Sequence, residues 1–173
     1  MENNNGKIFP QYSISSDDKL KEIYGHGDCA AFADILHWDF KNKGFNSKVI
    51  MAGTRLANHF YIKLENNNRE IAYCDIYGVF KKEQDILDRY NLTKEEVYEV
   101  NNPEENKLFQ TLIESSYLFE DLEDSEDKQE DFFLEMQKIL LQWEESLIEL
   151  PVKKKQSTKK KIHKYTKIDN NLT

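Results

Sequence analysis

The stretch Asn58-His-Phe-Tyr-Ile-Lys-Leu64 alternates cleanly, with Phe60, Ile62 and Leu64 on one face, and a period of two is the mark of a half-buried β-strand. Asn66-Asn67-Asn68 then gives a turn signal. Glu70 to Gly78 reads as a further strand, so the two form a β-hairpin centred near Asn67. This hairpin constrains the fold more than any other stretch, because a one-residue slip in its pairing would carry every side chain to the opposite face. With the turn on Asn67, residues whose numbers sum to 134 lie opposite one another: Lys63 with Ile71, Tyr61 with Tyr73, and His59 with Asp75. The expectation is a direct cross-strand pair of His59 and Asp75, their Cβ atoms roughly 4.5–5.5 Å apart. Such a pair lets a carboxylate hold an imidazole by one ring nitrogen while the other faces a nucleophile.

A helix precedes the hairpin. From Asp28 or Cys29 to Lys43, apolar residues Phe32, Ile35, Leu36 and Phe40 recur at three- and four-residue spacing, and Gly44 supplies the stop. Asp17 to Tyr24 predicts a shorter helix before the Gly25-His26-Gly27 break, and Lys48 to Ala52 a short strand ended by Gly53.

Cys29 therefore opens a helix. There the free backbone N–H groups and the positive end of the helix dipole favour a thiolate, a neighbouring imidazolium favours it further, and the same amides can receive an oxyanion. Gly27-Asp-Cys29-Ala-Ala-Phe32-Ala, then Asn58-His59-Phe60-Tyr61-Ile-Lys-Leu64, then Ala72-Tyr73-Cys-Asp75-Ile-Tyr-Gly78 resembles the Cys, His and Asp blocks of the transglutaminase-like branch of the papain-fold cysteine protease superfamily. The similarity spans about residues 24 to 80. It implies an α+β papain-like core, with the catalytic helix packed on a small antiparallel sheet. It also implies Cys29 as nucleophile, His59 as base and acid, and Asp75 as the residue that orients His59. The chemistry implied is thiolate attack on an amide or ester carbonyl of a protein or peptide, resolved by water (protease, amidase or glutamine deamidase) or by an amine (transglutaminase or acyltransferase). No metal or organic cofactor is called for. A zinc site on the same three residues would want a Cys-x-x-Cys or His-x-x-x-His pair, and none occurs. The rival expectation is a non-catalytic binding or inhibitor protein on the same scaffold, such as a phage or bacterial host-interaction factor.

The remaining polar candidates have plainer readings. Cys74 falls on the face opposite Asp75, beside Phe60, and is expected in the core. His26 is expected exposed, and His37 and Trp38 serve packing or surface. Tyr61 and Tyr73 share the His59 face, where they either wall a groove or pack on each other.

Beyond residue 80 the character turns helical. Lys82 to Tyr90 is one helical piece. Thr93-Lys-Glu-Glu96 has capping-box form, and Asn102-Pro103 predicts an N-cap and first helical residue for a helix running to about Leu122. Glu120 to Asp131 holds eight acids and one Lys, expected as a solvated helix end and loop. From Asp131 to Leu150, Phe133, Met136, Leu140, Trp143, Leu147 and Leu150 form a seam. The two long helices are expected as an antiparallel hairpin. The division that follows is a catalytic core over 1–80, a helical extension over 81–150 and a Lys-rich, disordered tail over 151–173.

Charge separates the same regions. Lys153 to Thr173 carries eight Lys and one Asp, about +7, so the net −8 leaves residues 1–152 at about −15. An acidic body of this kind is a poor non-specific nucleic-acid binder, whereas the tail suits an acidic partner, nucleic acid or anionic lipid. With no apolar run of 18 residues and no signal-peptide pattern at Met1 to Lys7, the expected location is cytoplasmic. Two cysteines in such a chain are expected as free thiols.

Overall fold

A computed structural model describes residues 11–54, 58–122 and 127–151. The Lys-rich tail, and residues 123–126 of the acidic run, lie outside the described residues. Strand β1 (Ser13–Ser15) is followed by α1 (Asp18–His26), α2 (Cys29–Asn42), β2 (Asn46–Gly53), β3 (Asn58–Glu65), β4 (Ile71–Asp75) and β5 (Gly78–Phe80). Then come a short helix α3 (Gln84–Leu87), 3-10 turns at Asp88–Tyr90 and Lys94–Glu96, and β6 (Val97–Glu99). Helices α4 (Lys107–Glu114), α5 (Tyr117–Asp121) and α6 (Lys128–Ser146) lead to β7 (Leu147–Glu149). The strands make one antiparallel sheet in the order β6-β2-β3-β4-β5-β1-β7. No described helix is long and apolar enough to cross a membrane.

The alternation read from the sequence decides which face of the hairpin is which. Phe60, Ile62 and Leu64 of β3, with Ala72 and Cys74 of β4, enter the main core beneath α2, where they meet Phe32, Ile35, Leu36 and Phe40. Tyr61, with Ile50 and Ala52 of β2, joins a second cluster built from Phe80, Ile86 and Leu87, with Tyr73, Tyr77 and Tyr90 packed against it. Helix α6 buries Met136, Leu140 and Trp143 in the main core, and Trp143 sits edge-on to Phe32 with centroids 5.7 Å apart.

Four expectations are corrected. The hairpin pairs Lys63 with Tyr73 and Glu65 with Ile71, two residues away from a register centred on Asn67. Its physical cause is the turn. The Asn66 carbonyl accepts from Arg69 N, the Asn66 N–H donates to the Glu70 carbonyl, and Arg69 takes φ +61°. A type I turn followed by a left-handed residue makes a three-residue loop, here centred on Asn68. The Asn66 side chain fixes it by accepting from the N–H groups of Asn68 and Glu70. A shift of two preserves the faces, so His59 and Asp75 share a side and are diagonal neighbours, not directly opposed.

Second, Glu70 to Gly78 is not one strand. Asp75 pairs with Gly78 across a tight turn at Ile76 and Tyr77, and the chain reverses into β5. Gly78 allows this because it takes φ +143° and packs so closely on β1 that a Cβ would lie 2.1 Å from the Ser13 carbonyl oxygen.

Third, the region from 81 is not purely helical. Thr93 and Glu96 do form a capping box, but the 3-10 turn they cap passes into β6, which pairs with β2, while β7 pairs with β1 at the other edge. Fourth, the long helices do not form a hairpin with each other. Asn106, not Asn102, caps α4, its side chain accepting from Phe109 N, and the helix ends at Ser115. The seam of α6 is filled instead by α2: Trp38 meets Phe133 at 4.7 Å as Phe32 meets Trp143.

Candidate active site

Cys29, His59 and Asp75 come from three different elements. Cys29 is the first residue of α2, His59 the second of β3, and Asp75 the last of β4. His59 and Asp75 are 2% and 1% exposed, and Cys29 is 8% exposed. His59 Nε2 lies 3.1 Å from Asp75 Oδ2. The diagonal placement explains why a direct pairing is unnecessary: neighbours offset by two residues stand roughly 7–8 Å apart, a span that an imidazole and a carboxylate close together.

Asp75 is held on both oxygens. Oδ1 accepts from Tyr77 N at 2.8 Å, an Asx turn that shapes the β4–β5 reversal, and the Arg89 guanidinium stands 4.0 Å away. Within the same turn the Ile76 carbonyl accepts from Trp143 Nε1 at 3.0 Å. A buried hydrogen bond from α6 thus steadies the loop carrying the carboxylate.

With Nε2 committed to Asp75, Nδ1 is the ring nitrogen left over. It is buried and makes no well-directed hydrogen bond. The Cys29 side chain also acts on the ring and favours its charged form. Burial alone would lower the basicity of His59, but the hydrogen bond it donates to Asp75, the Cys29 side chain and the charges of both override it and push the pKa up to about 9. The charged form of the ring is therefore favoured. A buried histidine whose charged form is favoured by a carboxylate and a cysteine has the electrostatics expected of an activated cysteine.

Three residues to which sequence reasoning assigned no role, Tyr77, Arg89 and Tyr90, complete the surroundings, all from beyond residue 76. Tyr90 stacks on His59 with centroids 3.8 Å apart and planes 21° from parallel. Arg89 lies over the Tyr77 ring at 4.0 Å. Gly25 approaches the same layer so closely that a Cβ would meet Tyr77 Oη at 2.7 Å. The 3-10 turn at Asp88–Tyr90 was legible as helical, but nothing in its residue types announced that it folds back over the imidazole.

The plainer candidates sort as follows. Cys74 is fully buried in the main core, where burial, then the charge of Asp75, pushes its thiol well up. His26 is exposed and stands edge-on to Tyr90 at 6.2 Å. His37 Nδ1 is 3.0 Å from Ser47 Oγ in a separate cleft of about 460 Å³ bounded by Lys41, Lys48, Glu99 and Glu104. Trp38 is partly exposed against Phe133. Tyr61 is buried, donating its hydroxyl to Glu83 at 2.9 Å, with Tyr73 at 6.5 Å between centroids. Both cysteines are free thiols. Among the described residues no group of three or more His, Cys, Asp and Glu is arranged to hold a metal.

Comparison of the chain with protein-family models, with curated proteins and with solved structures finds no match.

Proposed function

We propose that the chain is a thiol-dependent hydrolase or acyltransferase of the papain-like, transglutaminase-like kind, acting on an amide or ester carbonyl of a protein or peptide. The single observation that supports this best is His59: a buried imidazole held by Asp75 through Nε2, its Nδ1 without a hydrogen-bond partner, and its charged form favoured by Asp75 and Cys29. A structural histidine would satisfy both nitrogens.

In this mechanism the resting pair is a Cys29 thiolate and a His59 imidazolium. The thiolate attacks the carbonyl carbon, forming the C–S bond as the carbonyl π electrons move to oxygen. The backbone N–H groups at the start of α2 are the donors available to that oxyanion. As the oxyanion collapses, the bond to the leaving nitrogen or oxygen breaks and Nδ1–H of His59 protonates the departing group. Water or an amine then attacks the thioester and gives its proton back to Nδ1. The C–S bond breaks and the thiolate returns. Asp75 stays ionised throughout and holds the ring in the productive orientation.

The test is a search by mass spectrometry for cleaved, deamidated or cross-linked proteins in cells producing the wild-type chain. Products should vanish with Cys29→Ala, a loss of at least about 10³-fold. Products that persist with Cys29→Ala would refute the assignment.

A second reading, a non-catalytic binding protein on the same frame, is favoured by one observation: Cys29 and His59 are nearly closed to solvent, at 8% and 2% exposure. It predicts a partner that co-purifies equally with wild type and with Cys29→Ala, and no product from either.

A further inference from the structure

Tyr90 lies outside the stretch that carries the resemblance, yet it is the side chain in closest stacking contact with the imidazole. Its ring lies 3.8 Å from His59, and its hydroxyl donates to the Gly25 carbonyl at 3.0 Å. Gly25 belongs to the last turn of α1, four residues before Cys29. One tyrosine thus touches both the histidine and the chain segment that delivers the cysteine. It is itself braced by Tyr77, edge-on at 6.2 Å, and Tyr77 in turn by the Arg89 guanidinium.

We propose that Tyr90 is a positioning residue for His59, its ring face stabilising the imidazolium and its hydroxyl tying that ring to the segment leading into Cys29. The proposal rests on the thiol reading above for what His59 acts upon. An aromatic face within about 6 Å attracts a cation through its quadrupole, and the attraction grows where water is excluded. At 2% exposure His59 is such a case. The near-parallel stack also resists ring rotation, which would exchange the nitrogen on Asp75 for the one on the Cys29 side.

The groups facing His59 can be separated by sign. Asp75 from β4 and the Cys29 side from α2 favour the charged ring. Arg89, 4.0 Å from the second oxygen of Asp75, opposes it. Tyr61, near-parallel at 6.1 Å with its hydroxyl donated to Glu83, is a second aromatic neighbour. Tyr90 is closer, and it alone of the two is bonded to the α1 end.

The test uses the full chain, with ring-nitrogen NMR following the His59 titration and iodoacetamide measuring the rate of Cys29 alkylation between pH 5 and 9. Tyr90→Phe keeps the face and loses the bond to Gly25. Its His59 midpoint should stay near that of wild type while alkylation slows a few-fold. Tyr90→Leu loses both, so the midpoint should fall by about one unit, the alkaline limb of the alkylation profile should move down with it, and alkylation at neutral pH should slow a few-fold as in Tyr90→Phe. Should Tyr90→Leu fail to fold, Tyr90→Met takes its place. A cooperatively melting Leu or Met variant with an unchanged His59 midpoint and alkylation rate would overturn the proposal. A wild-type Cys29 inert to iodoacetamide would instead sink the thiol reading, and the His59 titration would still judge Tyr90.

Discussion

Cys29 and Cys74 are both buried free thiols, yet they occupy opposite kinds of environment. Cys29 opens α2 and is among the groups that raise the pKa of His59. Cys74 adjoins Asp75 in the chain, but strand alternation turns it to the other side of the sheet, among Phe60, Ile62 and Ala72. There burial keeps it a thiol. The difference teaches that a thiol's surroundings here are set by which face it occupies, not by distance along the chain from the acid.

The largest expected effect that could break this contrast comes from Asp75→Asn. It removes the carboxylate that holds the imidazolium, and iodoacetamide should then alkylate Cys29 about 10- to 100-fold more slowly at pH 7. Cys74, fully buried, should stay unlabelled in the native protein. An unchanged Cys29 rate would break the link between Asp75 and the thiol.

Next in size is a pair of pH windows in stability. His59 has a folded pKa raised from 6.5 to about 9. The folded state therefore binds more protons than the unfolded state in that interval, and stability falls as pH rises through it. The contribution is fully present below pH 6.5 and lost by about pH 9, and His59→Gln should flatten that part of the melting-temperature profile. Cys74, whose pKa burial raises well above the ordinary thiol value of 9.0, has the same sign in a later window: stability is lost as pH rises above 9. Cys74→Ala should flatten only that alkaline limb. If the two variants change the same window, the contrast between the thiols is wrong.

The smallest effect is the loss of packing in Cys74→Ala. Removing a buried sulfur from a close-packed core should lower stability by about 1 kcal/mol, read by denaturant unfolding, and leave the Cys29 alkylation rate within twofold.

Most of what positions this site was legible in the sequence, and the parts that were not have physical reasons. The α2 pattern, the alternation of β3 and the order of the three polar residues follow local periodicity, which one sequence carries in full. The hairpin register failed by two residues because Asn66 organises the turn through its side chain and Arg69 accepts a left-handed conformation, so the loop centres on Asn68. Faces survived, since the side-chain period is two. The reversal after Asp75 was hidden because Ile76 and Tyr77 are strand formers, and only Gly78 hinted at it. Strands β6 and β7 are three residues each, too short to show alternation, and are fixed by pairing with β2 and β1. Tyr90 could not be read at all: its place over His59 depends on how α3 and the following 3-10 turn cross the sheet.

The most direct measurement is the position of alkylation when the native wild-type chain is treated briefly with iodoacetamide at pH 7 and mapped by mass spectrometry, beside His59→Ala. The account predicts label on Cys29 and none on Cys74 in the wild type, with the Cys29 label sharply reduced in His59→Ala. Equal labelling of the two thiols, labelling of neither, or a Cys29 rate indifferent to His59 would contradict it.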